Sequence, residues 1–151
     1  MAIRKVLNKQ LGELLVEKGV IDKRQLEKAV SLQKEKGVLI GEIIVELGFA
    51  KEEDIAQALT TQYGFPYLPL SNYEISPEIV DLIPVRLARQ YLLIPIDRIG
   101  KNLTVAMSNP LNQQAVEEVE KISGCSVQTF VSTSSDLKRA IEKYYKEKDK
   151  E

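Results

Sequence analysis

The chain has 151 residues, of which 44% are hydrophobic and 28% charged, and its 21 basic and 22 acidic side chains leave a net charge of −1. This composition is typical of a globular protein with one ordinary domain or two small ones, and the charge balance argues against binding to a nucleic acid polymer. The absence of histidine and the presence of a single cysteine, Cys125, exclude a histidine-based triad, a cysteine-based zinc site and an intrachain disulfide.

No targeting or membrane-spanning segment is predicted. The first residues lack the apolar core of a signal peptide, and no run approaches the roughly 20 apolar residues of a transmembrane helix. We therefore expect a cytoplasmic protein with no direct membrane insertion. Cys125 follows Gly124 and is expected to be a small core residue rather than a reactive thiol.

An internal repeat organises the first half of the chain. A shift of 29 residues aligns residues 10–33 with residues 39–62, and a spacer of residues 34–38 separates the two copies. Six apolar residues align with other apolar residues, namely Leu11 with Ile40, Leu14 with Ile43, Leu15 with Ile44, Val20 with Phe49, Leu26 with Ile55, and Val30 with Leu59. The identical pairs are Gly12 and Gly41, Glu13 and Glu42, Val16 and Val45, Glu17 and Glu46, Gly19 and Gly48, Ala29 and Ala58, and Gln33 and Gln62.

Each copy predicts two short helices joined by a tight turn. Gly19 and Gly48 are expected to end the first helix of each copy in the left-handed conformation. Asp22 and Gln25 have the spacing of a capping box for the following helix. A helix pair cannot bury its apolar face alone, so the copies are expected to pack as one helical subdomain over residues 1–62. The helical period of the first copy is carried by Leu7, Leu11, Leu14 and Leu15.

Two glycines lie inside the predicted helices at equivalent positions. Gly12 and Gly41 each cost a helix about 1 kcal/mol relative to alanine, so two such glycines indicate a requirement. The sequence leaves two explanations open. Either two helices approach closely across the pseudo-symmetric interface, or a ligand or a partner's backbone lies against a bare helix surface.

The second half has a different pattern and predicts a small α/β subdomain over residues 63–145, followed by a charged tail over residues 146–151. Gly100 and Lys101 predict a hairpin turn between the first two strands. The predicted strands cover residues 91–99, 102–107 and 126–131. The predicted helices run from Pro77 to about Leu82, from Pro84 to about Gln90, from Pro110 to Lys121, and from a cap at Ser134 or Ser135. The predicted fold class is therefore α+β, with two tandem helix pairs followed by a short sheet packed by helices.

Four aromatic residues cluster near the junction of the two halves: Tyr63, Phe65, Tyr67 and Tyr73. They are interpreted either as interface anchors or as core and inter-domain packing, and the sequence leaves both interpretations open. Neighbouring carboxylates such as Glu52, Glu53 and Asp54 are interpreted as solvated helical charge rather than as an acid–base pair.

The doubled motif resembles the MshEN-type domain at the N-termini of type II secretion and type IV pilus assembly ATPases, the GspE/PilB N-terminal family. The resemblance extends from about Lys9 to Tyr145 and includes the second-half segments 82–84, 92–96 and 103–110. The phosphate-binding loop of the ATPases, G-x-x-x-x-G-K-[ST], does not occur here. The sequence is thus either a stand-alone relative or the leading piece of a longer ATPase.

Some members of this family bind cyclic-di-GMP on the paired motifs, one motif for each guanine half. The matching positions here are Leu11, Gly12, Leu15, Gly19 and Gln33 in the first copy and Ile40, Gly41, Ile44, Gly48 and Gln62 in the second. The family motif opens with arginine, and Gln10 and Leu39 occupy that position here. Glutamine supplies only part of the hydrogen bonding of arginine, and leucine supplies none.

The resemblance implies a non-catalytic module that docks onto an inner-membrane secretion or pilus assembly protein, or onto its ATPase, with recruitment to the inner membrane through that partner. The alternative is a cyclic-di-GMP receptor, and the two functions are compatible because a ligand can bias docking. No cofactor or metal is required. An independent enzyme is the least favoured reading, since no nucleophile–base pair, metal set or cofactor loop is present.

Overall fold

The computed structural model describes residues 11–36 and 39–149. The chain divides into two compact units, the first ending at Gly64 and the second beginning at Phe65. The sequence analysis places this boundary after residue 62. The two units are described separately below.

The described part of the first unit contains the two tandem helix pairs expected from the repeat. These helices are α1 (Leu11–Glu17), α2 (Lys23–Lys36), α3 (Ile40–Glu46) and α4 (Glu52–Tyr63). Helix α2 is longer than expected, because residues 34–36 of the predicted spacer continue it. Lysine and glutamate are good helix formers, which explains the extension. Leu7 and Gln10 lie outside the described residues.

The two predicted glycine turns are confirmed, and they have the same geometry. Gly19 has a φ of 74° and Gly48 a φ of 76°, in the left-handed region. In each turn the glycine N–H donates to a carbonyl of the preceding helix, and the next residue donates one position further back. The four bonds run from Gly19 to Val16, from Val20 to Leu15, from Gly48 to Val45 and from Phe49 to Ile44, with lengths of 2.9–3.1 Å. This pattern is the Schellman motif that satisfies the last carbonyls of a helix.

The starts of α2 and α4 differ in their caps. The N–H of Gln25 donates to Asp22 Oδ1 at 2.7 Å, and the N–H of Asp22 donates to Gln25 Oε1 at 3.0 Å. The predicted capping box is therefore confirmed. At α4 the N–H of Lys51 donates to Asp54 Oδ2 at 3.2 Å, whereas the lysine side chain has no acceptor to offer in return.

The core of the first unit is built from both copies of the repeat. Helix α1 contacts α3 and α4, and α2 contacts α3. Neither helix pair has a complete core of its own, which is the packing expected of a duplicated unit. The side chains with at most 1% exposure are Leu14, Leu15, Ala29, Ile43, Ile44 and Leu59.

The second unit begins with a 3₁₀ turn, Leu70–Asn72, and continues with α5 (Pro77–Val80), α6 (Val85–Tyr91), β1 (Leu93–Ile99), β2 (Asn102–Met107), α7 (Gln113–Ser123), β3 (Ser126–Val131) and α8 (Ser134–Asp149). The strands form one sheet in the order β1-β2-β3. Strands β1 and β2 are antiparallel, and β3 is parallel to β2. The fold class is α+β, as predicted.

The hairpin between β1 and β2 turns at Gly100, which has a φ of 61°. The last residue pair is Ile99 with Asn102, and the pairing shifts between Pro95 and Asp97. Glycine at the first central position is typical of a II′ turn. Proline and a register irregularity on an edge strand both discourage pairing with another chain.

One sheet face carries the main core of the second unit. Alternate residues of β2, namely Leu103, Val105 and Met107, are almost fully buried there. Cys125 is also buried in this cluster, which confirms its expected place in the core. The other members are Ile83, Leu87, Tyr91, Leu93, Ala115 and Val119.

Three predicted boundaries in this unit were wrong. Tyr91 ends α6 instead of starting β1, because Leu92 adopts a left-handed φ of 52° and its N–H donates to the carbonyl of Ala88. Helix α7 starts at Gln113 rather than at Pro110, because the Asn112 side chain accepts from the N–H of Ala115 at 3.1 Å. Helix α8 runs to Asp149, so residues 146–149 continue the helix expected to end before them.

Two neighbouring tyrosines of α8 fasten it to the segment before β1. Tyr145 is fully buried, and its hydroxyl donates to the carbonyl of Ile83 at 2.9 Å. The Tyr144 hydroxyl accepts from the N–H of Ile75 at 3.2 Å and is 3.3 Å from the carbonyl of Tyr73. Adjacent residues on one helix therefore hold two separate parts of the 73–83 segment.

Candidate functional site

Three of the apolar motif residues form the interior of the first unit. Leu15 and Ile44 are completely buried, and Leu11 is nearly so. These side chains position α1 and α3 and do not reach the molecular surface. Gly19 and Gly48 lie in exposed turns where no atom of the residues that the structure describes approaches an added Cβ within 4 Å. Their positive φ accounts for glycine at both positions.

Gly12 is buried against the second helix of its own copy. A Cβ added to Gly12 would lie 2.4 Å from Leu26 Cδ1, and its three nearest neighbours all belong to Leu26. Carbon atoms in contact lie about 3.5–4.0 Å apart, so even a methyl group does not fit beside Leu26 as placed. Close helix approach therefore explains Gly12, but the contact lies within one copy and not across the pseudo-symmetric interface.

Gly41 has a different environment from Gly12, although the two are equivalent in sequence. It is half-buried, and among side chains of the described residues its added Cβ meets Leu11 Cδ2, at 3.4 Å. This is an ordinary van der Waals separation between helices of the two copies. Among the described residues, the packing around position 41 therefore leaves room for an alanine side chain.

The remaining motif residues that the structure describes are either half-buried or exposed. Leu39, Ile40 and Gln33 are half-buried, and Gln62 is exposed. The second copy thus offers partly accessible apolar side chains, an accessible glycine and a glutamine amide, which both donates and accepts hydrogen bonds. In the part of the chain that the structure describes, no group of three or more Asp, Glu or Cys residues is arranged to hold a metal ion.

The clustered aromatic residues fall in both units. Tyr63 closes α4 of the first unit and is half-buried, as is Phe65 at the start of the second. Tyr67 and Tyr73 are 46% and 42% exposed. The backbone of Tyr67 pairs with Val131 at the end of β3, so its ring is presented from a fixed position.

Two isoleucines of the second unit are exposed, which the sequence pattern did not predict. Ile99 at the hairpin is 76% exposed, and Ile122 near the end of α7 is 48% exposed. Ile122 follows Ala115 and Val119 at helical spacing, which predicts a buried position. The structure leaves this side chain about half exposed instead.

Two tyrosine hydroxyls of the second unit are held in the protonated form. A hydrogen bond to the Glu118 carboxylate, with burial as a smaller cause, raises the pKa of Tyr91 to about 12. Burial raises the pKa of Tyr145. The Tyr91 bond joins α6 to α7, so both hydroxyls act as structural ties between elements.

None of the described helices has the length and apolar character needed to cross a membrane. The MshEN domain model matches residues 63–151, more than half of the chain. The chain therefore belongs to the MshEN domain family. This match covers the second unit, whereas the doubled motif precedes it.

The curated relatives of this chain include pilus and secretion ATPases. Type IV pilus assembly ATPase PilB of Myxococcus xanthus is 37% identical over 139 residues, covering 92% of this chain and 25% of the relative. The PilB of Thermus thermophilus is 31% identical over 149 residues, covering 97% of this chain and 17% of the relative. Type II secretion system protein E of Xanthomonas campestris is 25% identical over 141 residues, covering 90% of this chain and 25% of the relative. The chain thus spans a quarter or less of the length of these relatives.

Two solved structures have the same fold. A structure of MshE with cdg has a TM-score of 0.66 and 31% identity, and covers 91% of this chain and 99% of that one. The N-terminal domain of XpsE has a TM-score of 0.71 and 21% identity, and the match covers 89% of this chain and 93% of the XpsE chain. These similarities confirm the predicted relationship to the N-terminal domains of secretion and pilus ATPases.

Proposed function

We propose that this chain is a non-catalytic docking and regulatory module that couples a secretion or pilus assembly ATPase to an inner-membrane assembly protein. The observation that carries the proposal is the extent of the similarity. The chain matches the N-terminal domain of XpsE over nearly its whole length, but only a quarter or less of each pilus ATPase relative. A stretch of this length lies within the size range of domains that can fold on their own.

Tyr67 and Tyr73 are the anchors we assign to this docking surface. Both rings are more than two-fifths exposed, and both backbones are held by hydrogen bonds or strand pairing within the second unit. Tyrosine is enriched at interface hot spots because it offers a large, rigid apolar face with a polar tip. A tyrosine on a fixed backbone loses little conformational freedom when a partner covers it.

The test is a binding titration of the full chain against the cytoplasmic regions of the host's inner-membrane pilus and secretion proteins, each purified separately. We expect one of them to bind, with Tyr67→Ala and Tyr73→Ala each weakening the affinity by roughly tenfold or more. Ile99→Ala is the matched control. It removes an exposed apolar side chain at the hairpin, distant from Val131 in the strand register. Absence of binding to every region, or equal loss in the control, would overturn the proposal.

The second candidate function is that of a cyclic-di-GMP receptor. It is favoured by the 31% identity to MshE, whose structure was solved with cdg, cyclic-di-GMP, and by the accessible second copy of the motif. Gln10 and Leu39 stand where the family motif has arginine. Each lost charged hydrogen bond is expected to weaken binding by about 1.5–3 kcal/mol, or about 10- to 150-fold.

Calorimetric titration with cyclic-di-GMP, with GTP as the control, tests this second function. Micromolar binding that is lost in Gln62→Ala would support a receptor that works without the motif arginines. Binding that appears only after Gln10→Arg is combined with Leu39→Arg would indicate a scaffold that has lost its affinity. Absence of binding in both forms would leave docking as the sole proposed function.

A further inference from the structure

One end of the sheet in the second unit is formed by the β1–β2 hairpin and the start of β3. Ile99 pairs with Asn102 across the hairpin, and Asn102 pairs with Ser126, the first residue of β3. The N–H of Ser126 donates to the carbonyl of Lys101 at 2.7 Å. The start of β3 is therefore held directly beside the hairpin turn.

The last turn of α7 lies at this same end of the sheet. The helix ends at Ser123, and β3 begins at Ser126. Because this connection is short, Lys121 and Ile122 stay near the start of the strand. We use the name hairpin-end patch for five exposed residues of this end, namely Arg98, Ile99, Lys101, Lys121 and Ile122.

The hairpin projects beyond the elements of the second unit that pack on the sheet. Neighbouring residues of a strand point to opposite faces, and at the start of β1 both Leu93 and Ile94 are fully buried. At its end both Arg98 and Ile99 are exposed, Ile99 by 76%. Strand β1 thus passes from a covered stretch to an exposed one, and its end carries an apolar side chain into solvent.

Basic side chains surround the two isoleucines of the patch. The three basic residues are Arg98, Lys101 and Lys121, and all are exposed. Their sequence neighbours Asp97 and Glu120 are acidic, but both carboxylates bond to backbone. Asp97 Oδ1 accepts from the N–H of Arg98 at 2.8 Å, and Glu120 Oε2 accepts from a β3 N–H at 3.1 Å. Long basic side chains extend further from the backbone than these carboxylates do.

This combination suits a lipid surface better than a protein surface. Lysine is depleted in protein interfaces, whose hot spots favour tryptophan, tyrosine and arginine in well-packed pockets. The patch offers two lysines and two aliphatic side chains on a projecting end. An anionic bilayer attracts each basic residue and accepts apolar side chains at the boundary between head groups and acyl chains.

We propose that the hairpin-end patch is a peripheral contact site for an anionic lipid bilayer. Its two isoleucines enter the head-group region, and its three basic side chains pair with lipid phosphates. Tyr67 pairs with Val131 at the last residue of β3, whereas the patch adjoins Ser126 at the first. The lipid contact and the tyrosines assigned to protein docking therefore lie at opposite ends of β3, so lipid binding leaves those tyrosines accessible.

Co-sedimentation of the full chain with lipid vesicles tests the electrostatic part of the proposal. Vesicles of equal parts phosphatidylglycerol and phosphatidylcholine should bind the chain, vesicles of phosphatidylcholine alone should not, and added salt should weaken binding. Lys101→Glu should weaken binding by roughly tenfold or more, since it replaces an attraction with a repulsion. Lys143→Glu is the matched control, because it makes the same charge change at an exposed position of α8.

Tryptophan fluorescence tests the apolar part of the proposal. The chain contains no tryptophan, so Ile99→Trp introduces a single reporter at the hairpin end. Its emission should shift to shorter wavelength when phosphatidylglycerol vesicles are added, because the ring leaves water for the interface. Tyr67→Trp is the control at the opposite end of β3, and its emission should stay unchanged.

Three outcomes would overturn the lipid assignment. The first is an unchanged emission from Ile99→Trp, or equal binding of the chain to charged and neutral vesicles. The second is an equal loss of vesicle binding in Lys101→Glu and Lys143→Glu, which would locate the attraction outside the patch. The third is absence of vesicle binding while Lys101→Glu weakens binding to a purified assembly protein, which would assign the patch to a protein partner.

Discussion

Leu26 occupies the space that a side chain at Gly12 would fill, with its Cδ1 atom 2.4 Å from the position of an added Cβ. In the described part of the first unit, the side chain that an added Cβ at the equivalent Gly41 meets is Leu11, at the longer distance of 3.4 Å. Identical residues in the two copies are therefore retained under different packing constraints. This difference yields a stability test that needs no ligand.

Alanine substitution is expected to change stability to different extents at the two helix glycines. Gly12→Ala should be less favourable than Gly41→Ala by about 1 kcal/mol, because Leu26 must leave its rotamer to admit the methyl group. Gly41→Ala should stabilise it by up to about 1 kcal/mol, since the methyl group fits and alanine favours the helix. Urea denaturation followed by circular dichroism measures both. Equal shifts in one direction would contradict this account of the repeat.

The turn glycines Gly19 and Gly48 are expected to act through their backbone alone. Alanine at either position should cost about 1–2 kcal/mol, because a residue with a Cβ is strained at positive φ and no described residue lies close enough to the Cβ to offer a compensating contact. Asparagine tolerates this conformation better, so Gly48→Asn should cost less than Gly48→Ala. Thermal unfolding of the three variants gives the ranking, and equal losses from alanine and asparagine would contradict the backbone explanation.

Removal of the Tyr145 hydroxyl is expected to loosen α8. Tyr145→Phe leaves the ring in the core but removes the donor to the carbonyl of Ile83, and should cost about 1–2 kcal/mol. Tyr144→Phe is the matched control on the same helix. Its hydroxyl bonds are longer and more exposed, so the loss should be smaller. The urea midpoints of the two variants test this expectation. A larger loss of stability for Tyr144→Phe would contradict the assignment of the stronger tie to the Tyr145 hydroxyl.

The Tyr91–Glu118 pair predicts a loss of stability at high pH. The pKa of Tyr91 rises from 10.0 to about 12 mainly because its hydroxyl donates a hydrogen bond to the Glu118 carboxylate. The folded state therefore holds this proton more tightly than the unfolded state, so the stabilisation is complete below pH 10 and is lost as the pH rises from 10 towards 12. NMR titration of the tyrosine Cζ signals should show Tyr91 ionising earlier in Glu118→Gln. An unchanged midpoint in that variant would contradict the assigned cause.

Local chemistry in the sequence determined much of the fold. The repeat implied paired helices, and Asp22, Gln25, Gly19 and Gly48 marked their ends, because caps and left-handed turns depend on residues a few positions apart. The strands over residues 102–107 and 126–131 were also predicted from the local residue pattern. The start of α7 was predicted wrongly, since Pro110 and Asn112 both suit a helix entry and only Asn112 makes the capping bond.

Contacts between distant residues were decided by the tertiary structure alone. Tyr145 and Ile83 lie 62 positions apart, and no local pattern joins a hydroxyl to that carbonyl. The sequence identified Gly12 and Gly41 as equivalent candidates for ligand contact but gave no means to separate them. Their environments depend on where Leu26 and Leu11 come to rest when the helices pack. Sequence spacing determines which residues share a helix face, whereas packing determines whether that face is filled or open.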